Sequence, residues 1–173
     1  MRYLCIVLSL LIFPAVTSAN ARLTPRALDP AAAETFARAL EGSAKVRALV
    51  ERLEASNVIV HIETVMHLPA GIGGMTRFVT TRGGYRYLRI SLGSELTLSV
   101  RSAVLGHELQ HACEIADSSA TDVEGMRELF QQEGHREGEF FETMAAIQTE
   151  KIVWAELKTS RALQTEPVVK FDH

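Results

Sequence analysis

Residues 106–118 read GHELQHACEIADS. His107 and His111 stand four positions apart, with Glu108 beside the first. Whether a helix runs through them decides how the rest of the chain must fold. Leu98, Leu105, Leu109, Ala112 and Ala116 recur at helical spacing and form an apolar stripe, which predicts a helix from Leu98 to Ala116. On that helix the two histidines share a face, one turn apart. Val100 and Val104 lie above His107 and Ile115 below His111, so the helix is expected to be buried on both faces.

A buried imidazole needs a polar partner. A single ion shared by both rings would serve, with zinc–nitrogen distances of about 2.0 to 2.1 Å. Glu108 lies one step round the helix, where it can hold a metal-activated water without ligating the metal. Zinc lowers the pKa of such a water from about 15.7 to about 7. The neighbouring carboxylate can then take the proton and deliver it to a leaving amine. Gly106 costs about 1 kcal/mol relative to alanine inside a helix; either it lets another backbone come close or it is simply tolerated. Cys113 reads as a small buried apolar residue rather than a reactive thiol.

Outward from this helix, the pattern changes twice. Asp29-Pro30 is an N-cap followed by a first-turn proline, opening a helix that runs to Gly42. A second helix follows Ser43 and ends near Ser56-Asn57. The β-branched run VIVHIETV predicts a strand, and RFVTTRGGYRYLRISL predicts two strands about a Gly83-Gly84 turn. After the histidine helix, a helix over Asp122–Gln132 and a long one over Glu137–Leu157 are expected, with EGHREG as the break between them. Helices, three antiparallel strands and then helices make an α+β domain.

A hydrolytic zinc site has three protein ligands and one open position. Glu114, three residues past His111, is on the ligand face but too far along the axis to close the tetrahedron; it is placed to orient a histidine ring. On a wheel of the last helix, Phe140, Met144, Ile147 and Trp154 form one stripe, flanked by Phe141, Ala145 and Ile152. Glu142 lies outside it, among the small residues Gly138, Ala145, Ala146 and Thr149. Such a strip lets two helices pack closely, which makes Glu142 the expected third ligand. Glu139 is the fallback.

The run His107-Glu108-Leu109-Gln110-His111 resembles the signature of the zincin metallopeptidases. With a glutamate on a later helix, followed by alanine at Ala145, it is similar to the gluzincin branch, whose third ligand is such a residue. The resemblance covers about residues 85–150. It implies a small zincin-like domain holding zinc on His107, His111 and Glu142, with Glu108 as general base and a peptide or protein as substrate. It also implies an edge strand that lines up the substrate, which by analogy would be Tyr85–Leu92. Metzincins carry a glycine and a ligand where this chain has Glu114 and Asp117. Asp117 and Asp122 stay as minor ligand alternatives, and His135, Tyr85 and Tyr87 as rivals for stabilising the oxyanion. Two other readings compete: a closed, non-catalytic metal site in an envelope-associated protein, and an interaction module in which Glu142 stays more than about 8 Å from both histidines.

The chain has 173 residues, 47% hydrophobic and 23% charged, with a formal charge of −3, which suits one globular domain and offers nothing to a polyanion. With no basic run interleaved with aromatics, nucleic acid is not an expected partner. Residues 1–22, MRYLCIVLSLLIFPAVTSANAR, have a positive charge at Arg2, an apolar run from Tyr3 to Phe13 and small residues ending in Ala19-Asn20-Ala21. That is the layout of a secretory signal. The expectation is a signal peptide over 1–21, cut after Ala19 or Ala21, and a single exported domain over 22–173, periplasmic or secreted. The apolar run is too short to span a bilayer. One cysteine, Cys113, would remain, which precludes an internal disulfide. Arg22 to Asp29 leaves room for a short linker only.

Overall fold

The computed structural model describes residues 25–137 and 140–165. The expected signal segment, Glu139 and the end of the chain lie outside the described residues. Five helices and two sheets follow one another: β1 (Arg26–Ala27), α1 (Pro30–Gly42), α2 (Ala44–Glu54), β2 (Val58–Val65), β3 (Gly74–Arg82), β4 (Tyr85–Gly93), α3 (Leu98–Asp117), α4 (Val123–Glu133), β5 (His135–Glu137), β6 (Phe140–Glu142) and α5 (Met144–Thr165).

The α+β class is as expected; the three-stranded antiparallel sheet is not. The main sheet has four strands in the order β1-β2-β4-β3, and β2 runs parallel to β4 from Val58 opposite Arg86 to Val65 opposite Gly93. The Gly83-Gly84 turn, with φ of 60° and 81°, forces β3 and β4 into an antiparallel hairpin. Which of the two then sits beside β2 is decided by burial. Val58, Val60 and Ile62 of β2 match Leu88, Ile90 and Leu92 of β4, all buried, whereas β3 buries only Phe78. The polar strand goes to the rim. β3 and its loops thus carry the chain across between two parallel strands, a task more often given to a helix. The short linker expected before Asp29 contains β1, which pairs parallel with β2.

Local caps set the helix starts. Asp29 Oδ1 accepts from Ala32 N at 2.9 Å and its Oδ2 from Thr64 N at 2.7 Å, so one side chain caps α1 and ties it to the end of β2. Ser43 caps α2 and Asp122 caps α4. The long final helix begins later than its pattern predicts. Residues expected to be helical from Glu137 form the β5–β6 pair instead, because Phe140-Phe141 favours extended backbone and Thr143 supplies an N-cap, accepting from Ala146 N at 3.1 Å.

Helix α3 is enclosed: almost every residue from Arg101 to Ile115 is buried, between the sheet and helices α1, α2 and α5. The face that α5 turns to it is Ala146, Thr149, Val153 and Leu157, not the bulky stripe, whose Met144 and Ile152 are exposed. Small and β-branched residues win this face because the helices come close. A Cβ added at Gly106 would lie 2.7 Å from Val153 Cγ2, so what presses on the glycine is a side chain rather than a backbone. The far end of α3 is clamped by Arg86 of β4. Its buried guanidinium donates to the carbonyls of Ile115 at 2.6 Å, Ala116 at 2.8 Å, Ser118 at 3.0 Å and Ala120 at 3.1 Å, and to Asn57 Oδ1. Ile115 and Ala116 are in the last turn of α3, where carbonyls lack intrahelical donors, and Ser118 and Ala120 are in the segment that follows it. Among the described residues no helix is long and apolar enough to cross a membrane.

Candidate metal centre

Helix geometry brings the two imidazoles together, with His107 Nε2 3.1 Å from His111 Nε2. Glu142 arrives from β6 rather than from a helix, at the position just before the cap of α5. Its Oε2 lies 2.8 Å from His107 Nε2 and 3.7 Å from His111 Nε2. The interaction-module alternative, which kept Glu142 far from both rings, is not what the fold builds. The corners of the triangle set by these separations lie about 1.9 Å from its centre. That spacing suits three donors shared by one ion at zinc–ligand distances of about 2.0 to 2.1 Å.

The hydrogen bonding fits an ion better than it fits the three groups alone. His107 Nε2 and Glu142 Oε2 lie 2.8 Å apart, yet Glu142 Oε2 is buried and makes no well-formed hydrogen bond. The outer nitrogens, by contrast, are both engaged by carboxylates. His111 Nδ1 lies 2.9 Å from Glu114 Oε2, and His107 Nδ1 lies 3.2 Å from Glu150 Oε2. An Nδ1–H donated to a carboxylate leaves the Nε2 lone pair free for a metal. Glu114 is itself held by the Thr143 hydroxyl at 2.8 Å and by Gln110 Nε2 at 3.3 Å. Glu114 thus lies where a ring-orienting carboxylate is expected. Glu150 does the same for the other ring. Phe130 stands edge-on to the His111 ring at 5.1 Å between centroids.

Charge follows from this arrangement. Burial opposes the imidazolium at His107, yet Glu142, Glu150 and Glu108 outweigh it and raise its pKa to about 10. At His111, burial is likewise outweighed, by Glu114, Glu142 and Glu108, and the pKa rises to about 9. A proton on one Nε2 leaves no room at 3.1 Å for a second pointing at it. At most one of the two facing Nε2 atoms therefore carries a proton in the metal-free pair. Burial would raise Glu142, but the two histidines hold it down at about 2.

Glu108 is buried and stays out of the ligand triangle. Burial raises its pKa above the usual carboxylate range, against the pull of His111, His107 and Thr76. The Thr76 hydroxyl of β3 donates to Glu108 Oε2 at 2.7 Å. Gly74, two residues earlier, leaves the space for the carboxylate: a Cβ there would sit 2.9 Å from Glu108 Oε1 and 3.0 Å from its Cγ. Neither Thr76 nor Gly74 carries a motif that a sequence reading could have used.

The other expectations divide. The edge strand beside the site is β3, not Tyr85–Leu92; β4 is held between β2 and β3 because of its apolar inner row. Tyr85 and Tyr87 alternate with the inward Arg86 and Leu88, so they lie on the sheet face away from α3, and Tyr87 stacks loosely with His61 at 6.5 Å. Asp117 pairs with Arg52 near the surface. Asp122 is spent on the α4 cap, accepting from Gly125 N at 2.8 Å. His135 opens β5, and its side chain lies outside those described. Cys113 is buried, and burial pushes its thiol up to about 12, as suits an inert core residue. A cavity of about 290 Å³ opens beside Glu108, His111 and Glu142, between β3 and α4.

Comparison with protein families, with curated proteins and with solved structures finds no match for this chain.

Proposed function

We propose that this protein is an exported zinc-dependent metallopeptidase of zincin-like design. The observation that carries the reading is the convergence of His107, His111 and Glu142 at 2.8 to 3.7 Å, with a buried Glu108 beside them and outside their triangle. Zinc bound to these three residues would supply Lewis acidity, bringing a coordinated water to a pKa of about 7 and polarising a carbonyl oxygen. Glu108 accepts the proton of the attacking water. As the C–O bond forms and the C–N bond breaks, it passes that proton to the departing amine. Thr76 fixes one oxygen of Glu108 and leaves the other to move the proton. Glu114 and Glu150 keep both imidazoles in the tautomer that binds metal through Nε2. A structural zinc has four protein ligands; three converge among the described residues, and a cavity adjoins them, which favours an open position.

The test is zinc content by elemental analysis, with peptide cleavage, on the wild type, Glu142→Ala and Glu108→Gln. One zinc per wild-type chain, lost with Glu142→Ala and kept without turnover in Glu108→Gln, is the expected result. No zinc after metal-replete refolding, or a Glu108→Gln variant as active as the wild type, overturns the proposal.

A further inference from the structure

We propose that the cavity beside the metal centre is the pocket for a bulky apolar side chain of the substrate, so that cleavage falls next to leucine, methionine or phenylalanine. This rests on the peptidase reading and adds a substrate class to it. The cavity shares Glu108, His111 and Glu142 with the site, so whatever fills it lies against the groups that act on the amide. The rest of its wall is mainly apolar: Ile72, Val123, Met126, Phe130 and Phe141. Its polar groups are already committed. The Thr76 hydroxyl is bonded to Glu108, Arg77 donates to Ser91 Oγ at 3.2 Å and pairs with Glu63 at 3.6 Å, and Arg127 is paired with Glu124 at an exposed position. A charged or amide side chain entering there would lose its water and find no free partner, whereas an apolar one loses only its contact with water. At about 290 Å³ the space is just below the range of small-molecule pockets, about 300 to 1,000 Å³, and suits one large side chain. Val123, at the start of α4, lines the cavity and is 58% exposed, an apolar contact still to be covered.

Two measurements on the zinc-loaded protein test this. The first is cleavage of a mixed peptide pool mapped by mass spectrometry, for the wild type and for Met126→Trp, which fills the cavity. The second is titration of the wild type, labelled at its methionine methyls, with the amides of N-acetyl-leucine, N-acetyl-lysine and N-acetyl-aspartate. The expected results are sites flanked by large apolar residues, at least a tenfold loss of that preference in Met126→Trp, and a Met126 methyl shift with the leucine amide alone. Cleavage without apolar preference, or a Met126 signal indifferent to the leucine amide, overturns the pocket assignment and leaves the peptidase reading intact. A selective Met126 shift in a protein that cleaves no peptide supports the pocket and counts against the peptidase reading.

Discussion

If Glu108 is the general base of the proposed peptidase, Thr76→Val separates that role from metal binding. Valine keeps the shape of threonine, so the substitution opens no cavity and removes the 2.7 Å hydrogen bond to Glu108 Oε2 with the longer one, at 3.2 Å, to the Glu108 carbonyl. Hydrogen bonds to charged groups are worth about 1.5 to 3 kcal/mol. Glu108 is buried, so water does not replace the lost donor. If the whole loss is felt where the base receives its proton, turnover falls by roughly 10- to 150-fold, at about 1.36 kcal/mol per decade. Zinc content stays at one per chain, since Thr76 touches none of His107, His111 or Glu142. KM changes little, and Thr76→Ser restores most of kcat. The assay is steady-state cleavage of a quenched fluorescent peptide with zinc measured on the same samples. Unchanged kcat in Thr76→Val would refute the positioning argument, and so would loss of zinc together with activity, because the hydroxyl would then serve the fold as a whole.

Three further outcomes follow from the same contacts. In metal-free protein the folded values of about 10 for His107 and about 9 for His111 lie above the unfolded value of about 6.5, so their stabilisation is complete below pH 6.5 and is lost as pH rises through 9 to 10. Zinc competes with those protons, so the gap in Tm between zinc-loaded and chelator-treated protein should widen from pH 6.5 to 9, and a constant gap would contradict the ligand assignment. Gly106→Ala sets a methyl 2.7 Å from Val153 Cγ2; overpacking of about 1 to 3 kcal/mol exceeds the gain of about 1 kcal/mol in helix propensity, and urea unfolding should show a net loss. Arg86→Met removes a donor shared by four carbonyls in and just after the last turn of α3 and should cost more than about 3 kcal/mol in the same assay.

What the sequence disclosed was whatever is encoded within a turn or two of chain. Asp29-Pro30, Gly83-Gly84 and the Leu98–Ala116 stripe each carry their own start, turn or period, and each element formed where expected. The histidine pair and Glu114 were legible for the same reason, since positions three and four apart on one helix must meet. Pairing of strands distant in sequence was not: that β4 inserts between β2 and β3 depends on how much apolar surface each strand buries against α3. Glu142 was found on the wrong element. The helical spacing that sets Glu142 among Gly138, Ala145, Ala146 and Thr149 does not hold for residues that form β6. Glu150 lies 43 positions from His107 and Thr76 lies 32 from Glu108, so only the folded chain brings them in.

Strand β3, open along its outer side among the described strands, has a consequence for the protein in concentrated solution. Unpaired N–H and C=O groups in a row are a template on which a second molecule can add a strand. This rim carries Arg77 and Arg82, and its register slips between Phe78 and Thr80, where Val79 is half exposed. Like charges facing each other across a two-fold contact, and a kink that breaks the ladder midway, both disfavour such stacking. Arg77 is paired with Glu63, so among the described residues Arg82 is the charge on this rim without such a pair, and replacing Arg82 with valine or isoleucine should raise the tendency to aggregate, read by light scattering.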